Sequence, residues 1–282
     1  MPRPPDLTDR SALMRNRARA AAMHSPALFL QEEAAVELQE RLTDVNRTFT
    51  APAIVTPWPQ VWRAFSPRTR IVSDNDTLDL RPGAHDLVIH AMALHWSADP
   101  VGQLIQVRRA LRPDGLFLGA LFGGQTLAEL RAVLAEAEAT LTGGLSPRVA
   151  PMGEIRQLGA LLQRAGFALP VADSLTRTVS YETALHLMHD LRAMGETNAL
   201  AGRSRRITPR AVIADAVRRY AEAHAQPDGR IPATFEIICL TGWAPDAGQP
   251  QPLRPGSAGA RLADVLGVEE MPLPGSTSPQ AD

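Results

Sequence analysis

The stretch HDLVIHAMALHW, from His85 to Trp96, decides the fold class. Its core, Asp86 to His90, is a short apolar run of the kind that parallel sheets bury on both faces. Leu94, His95 and Trp96 follow where such a strand gives way to a loop. Asp99 then offers a side-chain N-cap and Pro100 a first helical position. The helix they open extends to about Leu111, with Leu104, Arg108 and Leu111 on one side. A Pro113-Asp114-Gly115 turn leads into a second apolar run, Leu116 to Phe122, ended by Gly123 and Gly124. Strand, helix and buried strand in succession predict an α/β fold.

Toward the C-terminus, Thr126 and Glu129 have capping-box spacing ahead of a helix lined by Leu127, Leu130, Leu134 and Leu141. A further helix from about Met152 to Ala165 should stop at Gly166, which permits a left-handed C-cap. Phe167 to Val171 and Thr176 to Ser180 are weaker strand candidates, and Phe235 to Trp243 is a β-rich run that completes the sheet. Between them, Ser180 can cap a helix holding Leu185, Met188 and Leu191, and Thr208-Pro209 opens one holding Val212, Ala216 and Tyr220. Beyond Pro245 the chain is rich in Pro and Gly and reads as a linker or tail, with Leu262, Val265, Leu266 and Val268 as a candidate short helix.

Toward the N-terminus, Thr8 to Met23 and Leu28 to Leu42 read as two helices, the second with Leu30, Ala34, Leu38 and Leu42 facing a core. Both precede the first strand candidate, so they suit a cap or lid. The expected organisation is a helical cap over residues 1–49, an α/β domain over 50–244 with a helical insertion around 181–224, and a flexible tail over 245–282.

The early part of the sheet is unusual. Ala53 to Val55 is a very short strand followed by Pro57, Trp58 and Pro59, and Arg70 to Ser73 is another. A cofactor-binding parallel sheet normally places a glycine-rich turn after its first strand, because the backbone must approach the ligand closely. The first glycine of this chain is Gly83. Thr50 to Ser73 is also only about half the length that three strands with two helices require. One strand-helix unit is therefore lost or compressed.

Composition narrows the function classes. The 282 residues, 45% hydrophobic, are enough for one sizeable core. The 29 basic and 30 acidic side chains nearly cancel, and no basic patch is interleaved with aromatics, so no nucleic-acid partner is expected. No run of about 18 apolar residues predicts an integral membrane segment. Arg3, Arg10, Arg15, Arg17 and Arg19 faintly suggest a targeting helix, but Asp6 and Asp9 favour a solvated face. Cys239 is the only cysteine, which excludes an intrachain disulfide framework and fits a reducing, cytoplasmic setting. His85, His90, His186, His189 and His224 make no recognised metal-binding spacing, so no metal is expected.

Five segments together resemble one family. They are HDLVIHAMALHW, ALRPDGLFLGALFGG (Ala110 to Gly124), GGLSPRVAP (Gly143 to Pro151), DLRAMGETN (Asp190 to Asn198) and IPATFEIICLTGW (Ile231 to Trp243). In this order they are similar to the methyltransferase-like assembly factors of respiratory complex I, whose mitochondrial members act as an arginine hydroxylase on a subunit of that complex. A more distant resemblance is to the malonyl-carrier-protein methyltransferases of biotin synthesis. The resemblance implies a Rossmann-like class I methyltransferase fold with a seven-stranded sheet, an N-terminal helical cap and inserted C-terminal helices. It also implies S-adenosyl-L-methionine (AdoMet) as the cofactor and a protein partner, a respiratory-complex subunit.

The family holds AdoMet with a D-x-G-x-G loop and an acidic residue ending the second strand, neither of which can be placed here. Asp74 matches a later acidic position near the adenine, and Leu94, His95 and Trp96 match the post-strand signature beside the cofactor. The expected function is a methyltransferase-like protein with a degenerate AdoMet site, acting by protein recognition. The alternative is an active AdoMet-dependent methyltransferase on a small carboxylated, carrier-bound or protein substrate.

On the substrate or partner side, Arg192 can clamp a carboxylate and Glu196 can accept from a guanidinium, with Asp190 and Asn198 beside them. Arg148 stands by the Gly143-Gly144 turn, at the crevice entrance or on the open surface. The structural alternatives are a capping and salt-bridge network for the 190–198 cluster and simple packing for Trp96.

Overall fold

The computed structural model describes residues 7–65 and 68–249. The expectations for most of the tail, including the candidate helix at Leu262 to Val268, fall outside the described residues. The compact unit ends at Asp246.

Its elements in chain order are α1 (Arg10–Ala21), α2 (Phe29–Val45), β1 (Pro52–Val55), α3 (Pro59–Trp62), β2 (Arg70–Val72), β3 (His85–Ala91), α4 (Pro100–Ala110) and β4 (Leu111–Phe122). There follow α5 (Ala128–Thr142), α6 (Ile155–Ala165), β5 (Ala168–Tyr181), α7 (Ala184–Ala193), α8 (Arg210–His224) and β6 (Ile231–Trp243). The sheet order is β2-β1-β3-β4-β6-β5. The first four strands are parallel, and β6 runs antiparallel to both β4 and β5.

The resemblance implies seven strands, and among the described residues the sheet has six. The difference lies where the sequence is short. Among the described residues between β1 and β2, the regular structure is the one-turn helix α3 and a further 3₁₀ turn over Arg63–Phe65. With so little chain between them, β2 pairs directly with β1, Ala53 to Val55 against Arg70 to Val72. β1 is buried along its whole length. Its entry is pinned by Asp86 at the head of β3, whose carboxylate accepts from Thr50 N at 2.6 Å, Thr50 Oγ1 at 2.8 Å and Ala51 N at 2.9 Å.

Helices cover both faces of the sheet, as a largely parallel sheet requires. On one face Leu30, Ala34 and Leu38 of α2 join α5, α7 and α8 over Ile54, Ile89, Leu118 and Ile237. On the other, Leu104 and Val107 of α4 and Leu158 and Leu162 of α6 pack on Val55, Val88 and Phe117. α1 belongs to neither layer. Its Ala12 and Leu13 pack with Trp96, Ala150, Ala199 and Leu200.

Several local expectations are corrected. The weak strands at Phe167–Val171 and Thr176–Ser180 are one edge strand, β5, with an irregularity between Ala168 and Val171 where Leu169 takes φ 49°. That kink lets the strand tolerate Pro170. Because β5 runs to Tyr181, Ser180 caps nothing, and Thr183 caps α7 by accepting from His186 N. α6 starts at Ile155 rather than Met152, with a capping box formed by Glu154 and Gln157.

The Thr126–Glu129 pair does not cap α5. Leu127 precedes that helix in the left-handed conformation with no side-chain cap. Thr126 Oγ1 instead donates to Glu236 O at 3.1 Å and accepts from Glu236 N at 3.1 Å, while Glu129 bonds Thr234. Tertiary pairing to β6 has claimed the groups that local spacing assigns to the cap.

This double bond predicts the cost of an isosteric change. Thr126→Val leaves the buried Glu236 N–H without a partner, while Glu236 O keeps Gly123 N at 2.8 Å, and should lower stability by about 1–3 kcal/mol. Urea unfolding measures it as a fall in midpoint with the slope unchanged.

Candidate functional site

The parallel strands present their C-terminal ends to one crevice, the side on which such sheets bind ligands. β1 leaves it through Thr56-Pro57-Trp58-Pro59. Thr56 N continues the ladder to Val72 O at 2.9 Å, and Trp58 N donates to Thr56 Oγ1 at 3.1 Å. Trp58 is 2% exposed, with its indole N–H unpartnered. Its ring lies against Gly195, where an added Cβ would come within 3.3 Å of Trp58 Cζ2. Trp62 serves a different place: its indole donates to Gln31 Oε1 at 3.1 Å and stacks on Phe65, bracing α2.

Asp74 sits two residues past β2 and is buried. Arg10 grips it with Nη1 to Oδ2 at 3.1 Å and Nη2 to Oδ1 at 3.2 Å, and Arg17 Nη1 reaches Oδ2 at 2.7 Å. Burial opposes the carboxylate's charge, but Arg17 and Arg10 outweigh it and bring the pKa down to about 2. Both arginines come from α1, so this helix is latched over the crevice by charge as well as by Leu13. Asn16 adds a third tie, donating to Thr197 O at 2.9 Å. The expected solvated arginine face of α1 is thus corrected at Arg17, which is 6% exposed.

On the other side of Arg17, Trp96 Nε1 donates to Glu196 Oε2 at 2.5 Å, and His95 Nε2 lies 3.3 Å from the same oxygen. Desolvation disfavours the Glu196 charge, yet His95, Arg17 and Trp96 together hold its pKa below the usual value. Glu196 Oε1 and His95 Nδ1 have no partner among the described residues. Gly195, at φ +77°, reverses the chain after α7 and turns Glu196 inward.

The sequence-predicted residues therefore divide. Asp74 lines a cavity of about 580 Å³ beneath α1. Trp96 and Glu196 line a separate apolar cavity of about 140 Å³ with Phe122, Leu130, Met152 and Met188. Leu94 points away into the core on the α4 side. The expected cluster at 190–198 is not one network. Asp190 interacts with the Tyr181 hydroxyl, Arg192 is exposed, and Asn198 Nδ2 donates to Pro147 O at 2.8 Å.

Arg148 is half-buried at the rim of the small cavity. Its Nε and Nη2 hold Glu138 at 3.0 and 2.7 Å, and its Nη1 reaches Thr208 Oγ1 at 2.9 Å. Among the described residues no three His, Cys, Asp or Glu side chains converge as metal ligands. Burial pushes the Cys239 thiol up to about 12, which suits a core residue rather than a nucleophile.

Sequence reasoning missed Arg10 and Arg17 as site residues. The available signal was the spacing of Arg10, Leu13, Arg17 and Ala20, which places two arginines on the apolar stripe of α1.

The family described as Methyltransferase domain matches residues 35–119, α2 through the middle of β4. Over 234 residues the chain is 32% identical to the malonyl-[acyl-carrier protein] O-methyltransferase of Halorhodospira halophila, covering 81% of this chain and 74% of that protein. The chain belongs to the class I AdoMet-dependent methyltransferase superfamily. It is also 36% identical over 205 residues to "Arginine-hydroxylase NDUFAF5, mitochondrial" of Danio rerio, covering 73% of this chain and 64% of that protein.

The chain thus spans about three fifths of the length of such arginine-hydroxylase relatives. Among solved structures it is similar to the YcgJ protein of Bacillus subtilis, with 11% identity, a TM-score of 0.47, and coverage of 75% of this chain and 100% of that one. The names of the arginine-hydroxylase relatives place them in mitochondria, which overturns the cytoplasmic expectation drawn from the lone cysteine.

Two outcomes follow for this superfamily member. The folded pKa of Asp74 lies below its unfolded value, so its stabilisation is fully present above about pH 4 and is lost as pH falls through 2. Asp74→Asn should therefore cost about 2 kcal/mol at neutral pH and almost nothing near pH 2, read from denaturant unfolding at both. Gly195→Ala, with a Cβ 3.1 Å from Arg17 Cα and a positive φ, should destabilise by about 1–3 kcal/mol and raise the fluorescence accessibility of Trp58 to a quencher.

Proposed function

We propose that this methyltransferase-fold chain works by recognising a protein partner, in the assembly of a respiratory complex, and that its crevice does not hold AdoMet in the superfamily's usual way. The observation that carries this reading is the buried Trp58 between Pro57 and Pro59 at the end of β1. Neither proline has an N–H to offer a ligand, the Trp58 N–H is already given to Thr56, and the indole fills space that a glycine loop leaves open. Asp74, the acid beside the crevice, has both oxygens engaged by Arg10 and Arg17, so a ribose hydroxyl or adenine amine would have to share them with two guanidinium groups. The residues present do not fit AdoMet as they stand.

The small apolar cavity supports the recognition half of the proposal. It combines a greasy wall with one unpartnered carboxylate oxygen, Glu196 Oε1, and so suits a partner side chain with an apolar stem and a donor head. Arg148 and Asn198 border its mouth. The named activities of the relatives, arginine hydroxylation and methylation of a carrier-borne malonyl group, lend support to a substrate presented by a larger molecule.

A second reading is an active AdoMet-dependent methyltransferase on a small carboxylated, carrier-bound or protein substrate. The cavity of about 580 Å³ beside Asp74 favours it, as does the span of identity with the malonyl-carrier enzyme. AdoMet, when bound, would supply the methyl group, and the chain's contribution would be proximity and orientation.

Calorimetric titration with AdoMet and with S-adenosylhomocysteine separates the two. The expected result is no heat and no thermal shift up to millimolar ligand. Micromolar binding, about 8 kcal/mol, would establish the second reading in its place.

A further inference from the structure

The cavity beneath α1 has a chemistry of its own once AdoMet is set aside, and the inference drawn from it rests on that reading. Its lining is divided between an apolar wall, with Met14, Ala18, Pro57 and Ile71, and a polar end with Arg10, Arg17 and Asp74. Among the lining residues three buried donor nitrogens have no acceptor among the described residues: Arg17 Nε, Arg17 Nη2 and Trp58 Nε1. Arg17 and Trp58 are 6% and 2% exposed, so open solvent does not serve them. Buried donors without partners are uncommon, and a guanidinium left half-satisfied is among the most costly.

The one carboxylate in the lining, Asp74, is committed. Asp74 divides its two oxygens between two arginines, leaving the lining with two positive charges against one negative. Glu196, the other acid that feels Arg17, lies outside this lining; its Oε2 is given to Trp96 and His95, and its unpartnered Oε1 belongs to the residue that lines the small apolar cavity. Every unpartnered buried polar group in the lining is thus a donor, and the rest of the wall is largely apolar.

We propose that this cavity binds a small organic carboxylate with an apolar body. The carboxylate accepts from Arg17 and from the Trp58 indole, and the body packs on Met14, Ala18, Pro57 and Ile71. A guanidinium and an indole N–H converging on one carboxylate give charge-assisted hydrogen bonds in a site largely removed from water. The site's spare groups favour negative charge.

The test compares 2-naphthoate with the neutral 2-naphthamide by calorimetry on the full chain, with AdoMet titrated in parallel. The acid should bind at least tenfold more tightly than the amide. Trp58→Phe keeps an aromatic face but removes the N–H together with part of the indole, and should weaken the acid at least fivefold more than it weakens the amide. Arg17→Met should abolish the discrimination; should that variant not fold, Trp58→Phe alone decides. Equal affinity for acid and amide, no binding of either at millimolar concentration, or an unchanged acid-to-amide preference in Trp58→Phe would each overturn the proposal. Binding of AdoMet would overturn the proposed function instead, and the naphthoate comparison would still judge this site.

Discussion

The crevice is organised around the buried pair between Arg17 and Asp74. A guanidinium and a carboxylate withdrawn from water are tolerable only when each is held by the other and by further hydrogen bonds. Arg10 supplies one such support, and the approach of Trp58, Gly195 and Glu196 completes the surroundings. Because Arg17 belongs to α1 and Asp74 follows β2, the pair holds a helix that lies outside both main layers against the open end of the sheet. What would be an exposed ligand crevice in an open α/β sheet becomes here a roofed cavity.

The same pair explains why the loss of chain between β1 and β2 is tolerated. With so few residues available, β2 is drawn directly alongside β1, and its trailing Asp74 lands within reach of α1. Pro57 and Pro59 stiffen the short connection, and Trp58 supplies bulk where glycines would leave space. The compression, the prolines and the arginine latch are one structural solution. The small cavity behind Trp96 lies on the far side of Glu196 and keeps its own apolar lining.

The central strand-helix-strand unit was readable from local pattern because His85–Phe122 states it redundantly: two apolar runs, an Asp-Pro helix start and a Gly-rich stop. The shortening of the early sheet was equally readable, since absent glycines and missing length are properties of the sequence itself. The ends of helices were less so. Thr126 and Glu129 have the spacing of a cap and are used by β6 instead, an outcome set by contacts more than 100 positions away along the chain. The buried charges were least legible. Hydrophobic periodicity marks which side of α1 is covered, but it cannot say that Arg17 meets Asp74 or that Glu196 meets Trp96, because these partners are joined only when the sheet is assembled.

The most direct measurement is a crystal structure of the chain grown with millimolar S-adenosylhomocysteine. The expected result is Trp58 packed against Gly195, Arg17 within hydrogen-bonding distance of Asp74, and no nucleoside in the cavity beneath α1. A nucleoside hydrogen-bonded to Asp74, with Arg17 released and Trp58 displaced, would contradict the account at its centre.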